Sequence, residues 1–360
     1  MIALILILFS SISFSQDFGD NSDGVCNFTG GAQAKSVWNC TDLFVSNTNT
    51  FPAASAVVLK VSGSVSIAGG GVLSVSAAGQ VAGPGAMNGG VCSSTPCSSP
   101  QTDATNTFGV VAAGGSAGTD DGLAASGGGG SGGTYNPATA GQNGTAGSNG
   151  GSSSQGTGGV ASLTGYGSES NFATTMNGGS GGGAGGSSDE IGTLSAGGSG
   201  GGGGGIIKIF SKGTIDIDGS ILSNGGAGSN GVPNGAAVGG GGGGGSGGSI
   251  FIYSQSTVSI TGGVQALGGS GGSGGAGGTG GVGRIRIDSF DGTISGVINV
   301  NPSPSVFTAA ALPSLKAKFK SDISHNCSFK TEQVDFYPSF IIGLFLGLMT
   351  MVALVRLKRI

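Results

Sequence analysis

The sequence predicts an all-β protein: a parallel β-helix or related solenoid of strand repeats with glycine-rich loops, joined to one C-terminal transmembrane helix. Three observations carry this expectation. A strand-bearing unit recurs in residues 200–300, glycine runs punctuate its copies, and an uncharged run of about 20 residues lies near the C-terminus, the length of a spanning helix.

Residues 1–15 read as a signal peptide. Ile2 to Phe9 is apolar, and Ser10, Ser11, Ser13 and Ser15 follow, as at a small-residue cleavage site. The run is too short to span a bilayer. Asp17, Asp20 and Asp23 come directly after it, which disfavours a buried N-terminal strand.

Residues 16–100 form a cysteine-bearing β region. It holds the single tryptophan, Trp38, between Cys26 and Cys40. Val57 to Val81 alternates β-branched and small polar residues with period two, and Gly69 to Gly71 interrupts it; this is the pattern of strands. Residues 101–199 are Gly, Ser, Ala, Thr and Asn with scattered apolar positions, a low-complexity composition expected to be irregular and partly ordered at best.

Residues 200–300 carry the repeat. GGIIKIFSKGTIDIDGSILSNGG from Gly204 aligns without a gap on GGSIFIYSQSTVSITGGVQALGG from Gly247, and a degenerate third copy contains Ile285 and Ile287. A unit that cannot bury its own apolar face stacks on its neighbours. The inward set is Ile207/Ile209, Ile250/Ile252 and Ile285/Ile287, and the outward set includes Lys208, Phe251, Arg284 and Arg286. A right-handed parallel β-helix fits, with an antiparallel sandwich of the same strands as the alternative. Glycine is 83 of 360 residues. Ordering glycine is costly. Polyproline-II-like glycine helices packed side by side, a polyglycine-II arrangement, would offset that cost by bonding to one another. Gly200–Gly205, Gly239–Gly245 and Gly127–Gly130 are the candidate members; loops leaving the solenoid are the alternative.

Residues 301–335 are a juxtamembrane stalk with one basic strand face, Lys316, Lys318 and Lys320. Residues 336–355 are the transmembrane helix, and 356–360 a cytoplasmic tail. Arg356, Lys358 and Arg359 place the tail inside, giving a single-pass type I protein whose bulk is extracellular or lumenal, at the plasma membrane or an endomembrane. Gly343 and Gly347 form a GxxxG through which two such helices could associate.

In an exported chain the cysteines read as disulfides. Proximity favours Cys26–Cys40 and Cys92–Cys97, although four cysteines allow three connectivities. Cys327 is left over, as an inter-chain bridge or a free thiol. Asn27, Asn39, Asn143 and Asn326 begin N-x-Ser/Thr sequons on the predicted outside.

Charged residues make up 8% of the chain, and no Lys or Arg occurs between Val61 and Ile207 or between Gly213 and Gly283. Nucleic acid, which demands basic patches, is an unsuitable partner. No cofactor or metal is expected. The lone His325 is remote from both cysteine pairs, and no Gly-Lys-Ser/Thr follows a glycine run. A carbohydrate-active β-helix enzyme would need clustered acids. Asp216 and Asp218 share one side of a strand, but the aligned positions are Ser259 and Thr261, and Asp288 or Asp291 is the only further acid nearby.

From GGGSGGSIFI (Gly243 to Ile252) the chain resembles glycine-rich, signal-bearing membrane proteins of plants and protists. Their repeats read GGG-R-V/I-K-I, N/D-G-S, GGSGGSIFI and GGGGGRI. The counterparts here are Gly204–Ile209, Asp218-Gly219-Ser220, Gly244–Ile252 and Gly280–Ile287, the last interrupted by Val282. Cys26 and Cys40-Thr41-Asp42-Leu43 fit their cysteine-bearing start. A more distant likeness, in glycine runs alternating with short strands, is to the glycine-rich domain of anaplastic lymphoma kinase-type receptors. The resemblance implies a surface or extracellular protein and no established chemistry. The expected function is that of a non-catalytic structural or adhesive surface protein. A ligand- or glycan-binding receptor without its own signalling domain is the alternative, using the Phe251/Tyr253 face or the glycine bundle. Extracellular glycans or proteins are the candidate partners.

Overall fold

The computed structural model describes residues 17–52, 55–91, 176–190, 193–234, 237–296 and 299–308. The expected signal peptide, the stalk beyond residue 308, the spanning helix, Cys92, Cys97, Cys327, Asn143, Asn326, Gly343 and Gly347 lie outside these residues, whereas residues 301–308 of the expected stalk carry the end of β20 and β21, which continue the parallel pairing. Among the described residues no helix is long and apolar enough to cross a membrane.

The described chain is all-β. It opens with β1 (Gly24–Phe28), β2 (Gly31–Ala32), β3 (Val37–Val45) and β4 (Thr48–Thr50). Next come β5 (Val57–Val61), β6 (Val65–Ile67) and β7 (Val72–Ser74). An antiparallel pair, β8 (Ser188–Glu190) and β9 (Thr193–Ser195), precedes β10 (Ile206–Ser211), β11 (Ile215–Ile217) and β12 (Ser220–Leu222). A second pair, β13 (Pro233–Asn234) and β14 (Ala237–Val238), precedes β15 (Ser249–Ser254), β16 (Val258–Ile260) and β17 (Gly263–Gln265). β18 (Arg284–Ser289), β19 (Ile294–Ser295), β20 (Val300–Asn301) and β21 (Ser305–Thr308) complete it.

Apart from the two short hairpins, every strand pairing is parallel, as a solenoid requires and a sandwich does not. Three stacks result. The first runs β3–β5–β10–β15–β18–β21 and the second β1–β3–β6–β11–β16–β19. β3 belongs to both, because Val37–Cys40 pairs with β5 and Leu43–Val45 with β6, so the two stacks form one 11-stranded sheet. The third stack, β2–β4–β7–β12–β17–β20, is a separate six-stranded sheet.

Inward side chains form columns along the stacks. Val57, Ile207, Ile250 and Ile285 are in register, as are Leu59, Ile209, Ile252 and Ile287. All belong to one buried core. Each fully buried side chain of this size stabilises by about 1.5–3 kcal/mol. The expected inward set is thus observed. The segment from Val57 to Ser74 is a further coil of the same kind, and Trp38 to Thr50 another.

Two columns depart from the apolar pattern. Ser211, Ser254 and Ser289 occupy the position held by Val61 and are almost fully buried. Each donates its hydroxyl to a corner carbonyl of the preceding coil: Ser211 to Gly63, Ser254 to Gly213 and Ser289 to Ser256, all at 2.7 Å. In the third stack Asn49 takes the core position of Leu73 and has no exposed surface. Its Nδ2 donates to the carbonyls of Asn47 and Phe28, and its Oδ1 accepts from the Gly30 amide and Gln33 Nε2, so burial leaves nothing unsatisfied. Asn49 closes the N-terminal end together with the Cys26–Cys40 disulfide, whose Cα atoms are 5.7 Å apart, and with Phe28 packed edge-on to Trp38 and Phe51.

The glycine segments bond to one another at every third residue. The amides of Gly179, Gly182 and Gly185 donate to the carbonyls of Gly204, Gly201 and Gly198, at 2.7–2.8 Å. Those of Gly198, Gly201 and Gly204 donate to Gly240, Gly243 and Ser246, and those of Gly240, Gly243 and Ser246 donate back to Gly186, Gly183 and Ser180. Further segments, through Gly226 and Ser229 and through Gly269 and Gly272, join in the same rhythm. Residues 176–187 are buried throughout, so this part of the low-complexity region is ordered. Gly127–Gly130 falls outside the described residues.

The outward set lies on the opposite face, as alternation requires, but that face is covered. Lys208, Phe251 and Arg284 point away from the isoleucine core, yet 6%, 2% and 2% of their surface remains exposed. A second apolar cluster holds Phe18, Ala56, Val58, Met176, Ile206, Phe210 and Phe251 together on this face. Period two tells which side chains oppose the core; it does not tell what covers the other side.

Candidate functional site: the exposed face of the second stack

With the outer face of the first stack covered, the second stack presents an accessible parallel surface. Its outward residues follow from strand alternation. Register places Asn27, Phe44, Ser66, Asp216, Ser259 and Ser295 in one row across six strands, which step about 4.8 Å apart. Asn27, Phe44, Asp216 and Ser295 are exposed, and Ser66 and Ser259 half-buried. Beside this row, Thr214 donates to Ser64 Oγ at 3.4 Å, and at the following corner Thr261 donates to Asp218 Oδ1 at 2.5 Å. The surface is a lattice of hydroxyls and carboxylates with an aromatic ring at its N-terminal end. It can exchange hydrogen bonds with a polar partner of matching repeat and offer Phe44 to an apolar one.

The acids tested for glycoside chemistry do not meet. Asp216 lies on the second stack and Asp218 follows it at the corner. Asp288 lies on the first stack, in register with Tyr253, where Arg286 Nε and Nη2 grip its carboxylate at 2.8–3.1 Å. The Arg286 guanidinium also lies over Phe251, 5.4 Å from the ring centre. Tyr253, expected to share a ligand face with Phe251, is half-buried against Phe18 and Phe210, and burial together with the Asp288 charge raises its phenol pKa. Among the described residues no group of three or more His, Cys, Asp or Glu is placed to hold a metal.

The N-terminal segment is strapped across the first stack. Asp17 pairs with Lys60, and Phe18 packs on Tyr253 beneath the Lys212 ammonium. Asp23 accepts the Asn39 amide at 2.7 Å and pairs with Lys35; the amide first and the cation second hold its carboxyl below the ordinary value. This segment covers one predicted sequon. A Cβ on Gly19 would lie 3.0 Å from Asn39 Cβ. Asn27, on the opposite stack, is open to solvent.

Composition and periodicity alone do not single out this face. Its signal is present in the outward positions of the second strand of each unit, Ser66, Asp216 and Ser259, which line up once Val57–Ser74 is recognised as a coil. Comparison with family models, with curated proteins and with solved structures returns no match for this chain.

Proposed function

We propose that the chain is a non-catalytic structural or adhesive element of the cell surface, carried outside by a signal peptide and held by the C-terminal span. The observation that carries this is the glycine bundle bonded at every third residue and fused to a solenoid. Its segments fit polyglycine-II helices, whose amides and carbonyls satisfy one another. Such a body has few side chains for chemistry and much backbone committed to rigidity, which suits a spacer or coat. The Cys26–Cys40 disulfide supports an oxidising compartment.

Antibody staining of intact, non-permeabilised cells tests this. Surface signal is expected; signal only after permeabilisation, at a cytosolic location, contradicts it. The cations between Val57 and Thr308 are Lys60, Lys208, Lys212, Arg284 and Arg286, and Lys208 and Arg284 are buried. Lys35 and Lys212 are exposed, so trypsin applied to intact cells is expected to cut the chain at few positions and to leave the lysine- and arginine-free stretches 61–207 and 213–283 whole.

A second reading, a glycan- or ligand-binding surface receptor without its own signalling domain, is favoured by the hydroxyl and carboxylate lattice of the second stack. The Phe251 face is a poor candidate, being covered.

A further inference from the structure

β1 is the outermost strand of the second stack and pairs, among the described strands, with β3 alone. Its side chains alternate: Cys26 and Phe28 are buried, while Val25 is 53% exposed and Asn27 is exposed. Asn27 stands directly opposite Phe44, which is 49% exposed. Val25, Asn27 and Phe44 therefore form an apolar patch with an amide at its centre, on the edge of a sheet. Exposed edges of this kind invite pairing with a second chain unless something blocks them. Asn27-Phe28-Thr29 is also a sequon, with Thr29 exposed.

We propose that Asn27 is N-glycosylated, that the first sugar packs its apolar face over Phe44 and Val25, and that the glycan shields the β1 edge, while Asn39 stays unmodified in the folded protein. The inference rests on the chain being exported. The donor is an oligosaccharide carried on a lipid pyrophosphate, supplied by the secretory pathway. The Asn27 carboxamide nitrogen forms a bond to the anomeric carbon, the sugar–pyrophosphate C–O bond breaks, the bonding pair leaves on the lipid pyrophosphate, and one amide proton is lost to base. No oxidation or reduction occurs.

Geometry separates the two neighbouring sequons. A strand-edge asparagine pointing to solvent accommodates a glycan together with the folded sheet. Asn39 is half-buried under Gly19 and the Asp17–Asp23 strap, and its neighbour Cys40 is closed in the disulfide. A glycan there would displace that strap. Covering Phe44 and Val25 also removes apolar surface from water, which stabilises in proportion to the area covered.

The test uses the full chain expressed in an N-glycosylating secretory host, with a second version carrying Gln255→Asn. That substitution builds a control sequon with Ser256 and Thr257 at an exposed corner. An amidase that releases the glycan and leaves aspartate marks each occupied site for peptide mass mapping. The proposal expects Asn27 and the control site occupied and Asn39 bare. An occupied control with Asn27 bare, or a glycan on Asn39 of the secreted folded protein, overturns it. A bare control together with a bare Asn27 overturns the export reading, and this inference with it. The packing claim has its own readout: glycan removal should lower the thermal midpoint of the wild type and leave that of Phe44→Ala nearly unchanged. Equal losses in both would refute packing on the ring.

Discussion

Gly201 and Gly226 approach so closely that a Cβ on Gly201 would stand 2.6 Å from the Gly226 carbonyl carbon and 2.9 Å from the Gly245 amide nitrogen. Gly201 is bonded on other sides as well, donating to Gly243 and accepting from Gly182. Backbone surrounds it, and no flexible side chain can yield. Gly201→Ala is therefore expected to cost about 1–3 kcal/mol, as overpacking does in a dense interior. Gly69→Ala is the control: its Cβ would meet nothing within 4 Å, and it is expected to stay within about 0.5 kcal/mol of wild type. Urea unfolding of both variants measures the difference; equal effects would mean the glycine segments are not packed as described.

The Cys26–Cys40 bridge spans a separation of 14 residues, and closing a loop of that size stabilises by about 3 kcal/mol. The bond sits beside Phe28, which packs on Trp38, the single tryptophan. Trp38 fluorescence thus reports on the N-terminal end of the solenoid. Replacing both cysteines by serine is predicted to shift the tryptophan transition to lower urea. An unchanged transition would place the stability of this end elsewhere, with Asn49 and the aromatic residues.

Lys208 gives the fold a pH dependence. Burial holds its ammonium pKa below the ordinary lysine value. The unfolded chain then binds the proton more tightly than the folded one, so stability rises with pH between the lowered folded value and the ordinary value of about 10.4. Wild type is expected to gain stability relative to Lys208→Met as pH is raised from about 8 to about 10, approaching the ordinary lysine pKa. Unfolding midpoints of the two proteins across that range give the comparison, and parallel pH profiles would contradict it.

The isoleucine columns were legible because the gapless offset between Ile207 and Ile250 carries register as well as strand type. The Cys26–Cys40 pair was legible from proximity. The coil from Val57 to Ser74 does not read as a copy. Its partner Ile207 lies far along the chain, and two more residues separate Ile67 from Val72 than separate Ile217 from Ser220. The coil before it was hidden further, since Cys40 and Asn49 stand at core positions and break the apolar alternation. The covering of Phe251 had no signal in the repeat, because Phe18 and Met176, which pack on that face, lie in segments outside the repeated units. The Asn27–Phe44 pairing depended on the register of β1 against β3, which sequence spacing does not give.

Amide hydrogen exchange on the secreted, folded protein tests the central claim most directly, that the glycine segments form an ordered body continuous with the solenoid. The amides of Gly182, Gly198, Gly201 and Gly243 all donate at 2.8 Å to a neighbouring segment. They are predicted to exchange as slowly as those of Ile209 and Ile252 in the solenoid strands, opening only with the cooperative unit. Exchange at the rate of an unfolded chain, with Ile209 and Ile252 still protected, would contradict the account and leave a solenoid with loose glycine loops.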